Sequence, residues 1–209
     1  DAVVVATPDH THAVASVAAM RADKHVYCEK PLCRTISEVR HVTELARETN
    51  RVTQMGTQIH AGSNYRRVVE LVRSGAIGEV SEVHVWVGSS TGGRKRYTRF
   101  PATVPKNLDW NLWLGTAPKT HFTEKVYHPG QWRKFLDYGC GTLGDMGIHI
   151  FDTPFKSLDL KDPLWVEAEC REPNGFGHAE KNMVRYGFAP SKYTTDDFTF
   201  TWWDGADAP

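Results

Sequence analysis

The chain has 209 residues, and its 25 Lys plus Arg are balanced by 25 Asp plus Glu, so the formal net charge is zero. This balance gives no general attraction to nucleic acid or to an anionic membrane surface. Hydrophobic residues make up 40% of the chain, and no apolar run approaches the length of a membrane span. Four cysteines without a Cys-x-x-Cys pair predict reduced thiols rather than a disulfide framework or a metal site.

The amino-terminal stretch predicts a buried strand followed by a helix. AVVVAT, residues 2–7, is continuously apolar and β-branched, which is typical of a strand buried on both faces of a parallel sheet. The next residues have helical spacing, and we expect either Asp9 or Thr11 to cap the helix N-terminus. The apolar residues expected on one face of this helix are Val14, Val17 and Ala18.

A second strand, a second helix and a third strand complete a βαβαβ rhythm. HVYCEK at residues 25–30 and RVTQMG at residues 51–56 predict short strands. Between them, Thr35 and Glu38 form a capping-box pattern at the start of a helix. The apolar positions repeated along this helix are Val39, Val42, Leu45 and Ala46. This rhythm predicts a doubly wound parallel sheet, whose ligands bind beyond the carboxyl ends of the strands.

The pattern changes after residue 60 and indicates a second domain. SNYRRVVELVRSG predicts a helix with Gly75 as its C-terminal stop, and EVSEVHVWVGSS alternates apolar and polar residues as a half-buried strand does. Three more strand patterns follow one another near the end of the chain: LWVEAECRE, NMVRYGFAP and DDFTFTWWDG. We therefore predict a doubly wound α/β domain over residues 1–58 and an α+β domain with a largely antiparallel open sheet over residues 59–209.

Lys30 lies in a Glu-Lys-Pro step directly after the second predicted strand. Pro31 stiffens the backbone after it, and the carboxyl end of a strand is the ligand-binding edge of such a sheet. A lysine ammonium at this edge can donate a hydrogen bond to a hydroxyl or stabilise a developing oxyanion. The alternative is an ordinary solvated surface lysine.

The segment DYGCGTLGDMGIHIFD, residues 137–152, carries a second candidate group. Asp145 and His149 are four apart, so on a helix they share one face. Three preceding glycines permit a close backbone approach or a positive φ: Gly139, Gly141 and Gly144. Histidine is the usual general base near neutral pH, and a carboxylate one turn away can orient it or the substrate. The alternatives are a surface ion pair and half of a Zn or Fe(II) site, for which no second ligand cluster is found.

Three other features are interpreted as structural. The basic stretch GGRKRYTRF, residues 92–100, predicts an exposed loop rather than a nucleic-acid site because the net charge is zero. Most tryptophans of DWNLWLG, GQWRKF and TWWDG are expected in the core, although such rings also stack on sugars. His10 and His12 are expected to line the ligand edge or cap the turn rather than to bind a metal.

Taken in order, VVVATPDHTH, CEKPL, QMGTQIH and GCGTLGDMGIHIFD resemble the motifs of the glucose-fructose oxidoreductase / inositol dehydrogenase / MocA (Gfo/Idh/MocA) family. The resemblance spans essentially the whole chain. Two further motifs, WLGTAPK and YHPGQWRKF, resemble a subgroup of the family that is seen in bacteria that process carbohydrates. It implies the C-terminal half of a Rossmann-type doubly wound parallel sheet, followed by an α+β domain. Neither the G-x-G-x-x-G turn nor the acidic residue about 20 positions later is found. We therefore expect a chain truncated at both ends that is inactive alone and holds its cofactor weakly.

The resemblance also implies a chemistry. The activity expected is an NAD- or NADP-dependent oxidoreductase, which transfers a hydride between the nicotinamide and a hydroxyl-bearing carbon of a sugar or cyclitol. The catalytic residues implied are Lys30, which stabilises the alkoxide, Asp145, which orients the substrate, and His149, which takes the proton. The cofactor-lining residues implied are Thr7, Pro8, His12, Glu29, Lys30, Gln58 and Arg133.

Two alternatives to this activity stay open. One is an NAD-dependent glycosidase of the same fold, which acts by transient oxidation and elimination and would use the same residues. The other is a non-catalytic fragment. The resemblance further implies a homo-oligomer, either a dimer or a tetramer, in the cytoplasm, or in the periplasm if a lost segment carried an export signal.

Overall fold

The computed structural model describes residues 1–93 and 101–205, so the predicted basic loop lies mostly outside the described residues. The chain forms two compact units that interleave along the sequence. The first unit comprises Asp1–Gly56, Gly92–Gly141 and Asn174–His178, and the second comprises Thr57–Thr91, Thr142–Pro173 and Ala179–Pro209. The domain boundary at residues 58 and 59 stays a prediction.

The first unit contains a parallel sheet in the order β1–β2–β3. Its strands are β1 (Ala2–Val5), β2 (His25–Glu29) and β3 (Thr53–Gly56), and the connecting helices are α1 (Asp9–Arg21) and α2 (Ile36–Thr49). The βαβαβ order and the α/β fold class predicted from the sequence are thereby confirmed.

The predicted N-caps of α1 were wrong, and of the three residues predicted on its apolar face only Val17 packs against the core. Pro8 holds the N-cap position and no side chain caps the helix. Val14 is 48% exposed. The residues that α1 buries are Asp9, His10, His12, Ala13, Ser16, Ala19 and Met20. Because this buried face is largely polar, apolar periodicity alone does not identify it.

Strand β1 is buried on one face rather than on two. Val5 and its neighbour in register, Cys28, lie in the core beneath the helices. Val4 and its neighbour Tyr27 lie on the opposite face, where Val4 is 69% exposed. The helices that cover the sheet therefore occupy one side of it.

The capping box at the start of α2 is confirmed. The Glu38 backbone N–H donates to Thr35 Oγ1 at 3.3 Å, and Glu38 Oε2 accepts from the Thr35 backbone N–H at 2.8 Å. Val42 and Leu45 are buried against the sheet. Local capping and apolar spacing thus agree on the position of this helix.

The rest of the first unit is built around an aromatic cluster. The short helix α4 (Trp110–Leu114) and a 3-10 turn (Gln131–Lys134) each contribute a buried tryptophan. Trp110 stacks on Trp113 with ring centroids 4.8 Å apart. The other buried members are Leu114, Phe122, Val126, Trp132, Phe135 and Tyr138. The prediction that these tryptophans pack in a core is confirmed.

The second unit packs helices on one face of a four-stranded sheet with the order β4–β7–β6–β5. Its strands are β4 (Val80–Val87), β5 (Trp165–Glu169), β6 (Met183–Gly187) and β7 (Thr194–Asp204), and its helices are α3 (Ser63–Arg73), α5 (Gly141–Ile150) and α6 (Asp152–Leu158). Two of the three pairings are antiparallel, as predicted, and β4 runs parallel to β7. Phe200 and Trp202, both 0% exposed, are at the centre of this core. Within residues 1–93 and 101–205, no helix has the length and apolar character needed to cross a membrane.

Candidate functional site

Four of the predicted site residues lie at one edge of the parallel sheet. Thr7 and Pro8 follow β1, and Glu29 and Lys30 end and follow β2. Because the carboxyl ends of neighbouring parallel strands meet at the same edge, these residues share the edge where such sheets bind ligands. Thr7 is exposed, and the other three are half-buried.

His12 lies beneath this edge and joins its two loops. Its Nδ1 donates to the Pro31 carbonyl oxygen at 2.7 Å, and its Nε2 donates to the Thr7 carbonyl oxygen at 2.7 Å. The residue is 1% exposed. A ligand at this edge therefore meets the backbone that His12 holds rather than its ring.

The protonation of His12 follows from its partners. Burial alone would lower the pKa of His12, but a side-chain hydrogen bond with Cys28 and the carbonyl groups of Pro31 and Thr7 outweigh it and raise the pKa to about 9. Since carbonyl oxygens only accept hydrogen bonds, both ring nitrogens must carry a proton to make both bonds. His12 is thus a buried cation at neutral pH.

The loop that follows Lys30 is tied down by sulfur and guanidinium groups. Cys28 Sγ donates to the Leu32 carbonyl at 3.8 Å, and Cys140 Sγ donates to the Cys33 carbonyl at 4.0 Å. Arg34 Nη1 donates to the Leu136 carbonyl at 2.5 Å. Burial raises the pKa of Cys33 to about 12 and that of Cys140 well above its ordinary value. The Cys33 and Cys140 thiols are neutral packing groups rather than nucleophiles.

A glycine at the end of β3 makes room for the Glu29 carboxylate. Gly56 pairs in register with Glu29. A Cβ at position 56 would stand 2.8 Å from Glu29 Oε2 and 2.9 Å from the Tyr27 hydroxyl. The absence of a side chain at this position therefore determines where Glu29 lies.

Arg133 belongs to the first unit, in the 3-10 turn of the aromatic cluster. Its Cζ lies 4.2 Å from the centroid of the Trp132 ring, within the range of a cation–π contact. A Cβ on Gly139 would stand 2.6 Å from the Arg133 Cα. This segment is joined to the start of α1, because the His10 backbone N–H donates to the Tyr138 carbonyl at 3.2 Å.

Gly141 meets both reasons for expecting glycine here. Its φ is +64°, and a Cβ would stand 2.7 Å from the His178 ring. His178 Nε2 donates to the Gly139 carbonyl at 2.9 Å. His178 was missed by the sequence analysis, since its partners lie 39 residues away in the chain.

Asp145 and His149 lie on the same helix, α5, as their spacing predicts. The side chains of Leu143, Met146 and Ile150 pack against the core of the second unit. With 3.6 residues per turn, Asp145 lies away from this packed side of the helix, and His149 lies at its flank. Both are half-buried.

Gln58 opens a 3-10 turn in the second unit, Gln58–Ala61, and is exposed. The same turn carries His60, whose Nδ1 donates to Asp152 Oδ2 at 3.0 Å. The Tyr65 hydroxyl donates to Asp152 Oδ1 at 3.4 Å. Burial and the neighbouring Asp152 raise the pKa of Tyr65. The sequence analysis did not identify this cluster, because Asp152 is 92 residues from His60 and 87 residues from Tyr65 in the chain.

The predicted site residues thus fall into two sets. The first unit carries Thr7, Pro8, His12, Glu29, Lys30 and Arg133, and the second unit carries Gln58, Asp145 and His149. In the described parts of the chain, no group of three His, Cys, Asp or Glu residues has the arrangement of a metal site.

Family comparisons agree with the two-part pattern of motifs. Residues 1–57 match the family model described as an oxidoreductase family with an NAD-binding Rossmann fold. Residues 62–189 match the model described as the C-terminal alpha/beta domain of the same oxidoreductase family. The chain belongs to the Gfo/Idh/MocA oxidoreductase family.

Two curated relatives of this family member carry the names of dehydrogenases. A levoglucosan dehydrogenase of Pseudarthrobacter phenanthrenivorans is 36% identical over 154 residues, which cover 71% of this chain and 30% of that protein. An inositol 2-dehydrogenase of Salmonella typhimurium is 29% identical over 134 residues, which cover 63% of this chain and 39% of that protein. The matches therefore span well under half the length of these relatives.

Two solved structures have a fold similar to that of this chain. An inositol dehydrogenase homolog from Azotobacter vinelandii, complexed with NAD⁺, has a TM-score of 0.69 at 21% identity and covers 98% of this chain and 45% of that one. An aldose-aldose oxidoreductase from Caulobacter crescentus, complexed with glycerol, has a TM-score of 0.66 at 21% identity. The match covers 100% of this chain and 51% of that one. At these identities the likeness shows the fold.

Proposed function

We propose that the protein is an NAD- or NADP-dependent dehydrogenase that oxidises a hydroxyl of a sugar or cyclitol. The observation that supports this most directly is the placement of Lys30 beside Glu29 at the carboxyl end of β2. Thr7 and Pro8 lie on the same edge, after β1. A cation next to an open backbone edge is suited to a hydroxyl whose oxygen gains negative charge as it is oxidised.

The substrate class of this proposal comes from relatives. The two dehydrogenases compared above are named for levoglucosan and inositol, which are both cyclic molecules with several hydroxyls. A protein of the same family is suited to the same class of substrate. We extend the proposal to that class and not to one member of it.

Three side chains carry the chemistry in this proposal. When bound, the nicotinamide supplies the hydride acceptor. His149 takes the hydroxyl proton on a ring nitrogen, because a neutral imidazole is the usual base near pH 7. Asp145, one helical turn away, holds the hydroxyl or the imidazole in line, and the Lys30 ammonium stabilises the charge left on the oxygen.

The remaining predicted residues have binding roles in the proposal. Thr7, Pro8 and Glu29 line the nicotinamide end through the sheet edge, and His12 acts there through the two carbonyls it holds. Gln58 and Arg133 contact cofactor or substrate. A homo-oligomeric state and a cytoplasmic location, or a periplasmic one after export, belong to the same proposal and rest on the resemblance alone.

The test is a direct spectrophotometric assay of the full-length gene product with NAD or NADP and a panel of free sugars, cyclitols and aryl glycosides. The absorbance of reduced nicotinamide should rise steadily with a free sugar or cyclitol, and the faster cofactor identifies the preference. Release of the aryl group without lasting reduction would indicate the NAD-dependent glycosidase instead. No dinucleotide binding at all would support the non-catalytic alternative.

A further inference from the structure

The ring of His12 makes two hydrogen bonds that a neutral imidazole cannot make together. A neutral ring carries one N–H and one acceptor nitrogen. Both partners of His12 are backbone carbonyl oxygens at 2.7 Å, one from Thr7 and one from Pro31. Loss of one proton would place a nitrogen lone pair against a carbonyl oxygen, so one of the two bonds must break.

The two carbonyls belong to the loops that carry the candidate site. Thr7 lies two residues after the end of β1, and Pro31 directly follows Lys30. We propose that His12, as an imidazolium, is a positioning residue that holds the loop after β1 and the loop after β2 together, so that Thr7 and Lys30 keep the spacing the dinucleotide requires. The effect on dinucleotide binding rests on the proposed function, whereas the clamp rests on the two hydrogen bonds of His12.

The groups around His12 favour its protonated, positively charged form. The titratable side chain that contacts it from β2 is the Cys28 thiol, which is 1% exposed. Its other described partners are the carbonyls of the two loops, and Asp9 lies one turn earlier on α1 and is also buried. Because carbonyl dipoles and the thiol favour the cation, the clamp is closed at neutral pH and opens as pH rises past about 9.

A purely structural role predicts something different. If His12 only filled space, its replacement would lower stability at every pH alike and would leave the loops no more mobile at pH 10 than at pH 7. If it clamps as a cation, the wild-type loops should loosen above its pKa. A variant without the imidazole should show loose loops at all pH values.

The first arm of the experiment measures the protonation of the His12 ring. Nuclear magnetic resonance of the ¹⁵N-histidine-labelled protein should show two slowly exchanging imidazole protons on His12 at pH 7, and the loss of one of them at about pH 9. A single ring proton at pH 7 would overturn the proposal. Assignment comes from His12→Gln, and the exposed His41 on α2 provides the matched control as His41→Gln.

The second arm follows the loops by amide hydrogen exchange. Residues 6–11 and 30–35 should exchange faster in His12→Gln than in the wild type at pH 7, whereas His41→Gln should match the wild type. Protection is the observed exchange rate compared with that of an unstructured peptide at the same pH. In the wild type, the protection of these loops should fall above pH 9. Unchanged protection in both comparisons would overturn the clamp.

The third arm connects the clamp to the proposed function in the full-length gene product. NADH affinity should drop at least about tenfold in His12→Gln at pH 7, the size expected for one lost charge-assisted hydrogen bond. The wild type should show the same drop above pH 9. If the first two arms succeed and no protein binds a dinucleotide, the proposed function fails and the clamp stands. If dinucleotide binds equally well in all variants at every pH, the positioning role is wrong and the proposed function stands.

Discussion

Glu29 and Gly56 face each other across the ends of β2 and β3, so closely that a Cβ at residue 56 would stand 2.8 Å from Glu29 Oε2. The substitution Gly56→Ala should therefore move the carboxylate or the strand end. We expect a raised dissociation constant for NAD(H) in the full-length gene product, together with a loss of about 1–3 kcal/mol in the free energy of unfolding.

The control for this prediction is Gly88→Ala, because a Cβ at residue 88 would meet nothing within 4 Å. Dinucleotide affinity can be measured by titration of protein fluorescence and stability by urea unfolding. If Gly56→Ala binds dinucleotide as tightly as Gly88→Ala does, the position of Glu29 has no part in cofactor binding.

His149→Ala should abolish most of the proposed catalysis while cofactor affinity changes little. Loss of a general base lowers kcat by about 10²–10⁴-fold. Asp145→Asn should lower kcat less, since the amide keeps the shape of the side chain but not its charge. Steady-state kinetics and a parallel measurement of NAD(H) affinity separate the two effects, with His41→Ala as the control. Turnover equal to that of the control would remove His149 from the mechanism.

Asp204 is the acceptor for several donors in the core of the second unit. It is 2% exposed and accepts from Ser90 Oγ at 2.6 Å, Asn182 Nδ2 at 2.7 Å and Trp202 Nε1 at 3.2 Å. Asp204→Ala removes the acceptor that these buried donors share and should cost at least about 3 kcal/mol in the free energy of unfolding.

The matched substitution on the same strand is Asp197→Ala. Asp197 is exposed, and its described partner is the neighbouring Thr195 hydroxyl. Its removal should change stability by less than about 0.5 kcal/mol. Urea unfolding curves that show equal stability for the two alanine variants would contradict the account of the Asp204 network.

Stability should fall as pH rises from about 6.5 to 9 because of His12. Its pKa in the folded chain, about 9, exceeds its ordinary value of 6.5. The stabilisation is therefore fully present below pH 6.5 and lost as pH rises through 9, by an amount of about 3 kcal/mol at most. His10 acts oppositely, since burial lowers its pKa and stability is lost as pH falls.

The measurement is urea unfolding at several pH values, with His12→Gln for comparison. The buried Cys33 thiol has an ordinary pKa of 9.0, which is raised by burial, so its contribution is lost above that window. The decline between pH 6.5 and 9 should be present in the wild type and absent in the variant. An equal decline in both proteins would assign it to other groups.

Local sequence signals were sufficient for much of the fold. The Thr35–Glu38 capping box and the buried Val42 and Leu45 fix α2, because both signals lie within a few residues of one another. Asp145 and His149 fall on one helix as their spacing requires. The order of strands and helices in the parallel sheet follows from the same kind of short-range pattern.

Long-range hydrogen bonds could not be predicted in the same way. The buried face of α1 is polar because the His12 ring meets carbonyls 5 and 19 residues away, and the His10 backbone meets Tyr138. The Asp204 acceptor is satisfied by a serine 114 residues earlier. Such partners are brought together by the fold, so no local periodicity indicates them.

The central claim is tested most directly by following the hydrogen that leaves the substrate. A sugar or cyclitol substrate carrying deuterium on its oxidised carbon would be incubated with the full-length gene product and unlabelled NAD or NADP. Mass spectrometry should find one deuterium in the reduced cofactor for each substrate molecule oxidised. Oxidised product without deuterium in the cofactor would contradict hydride transfer to the nicotinamide, and with it the proposed function.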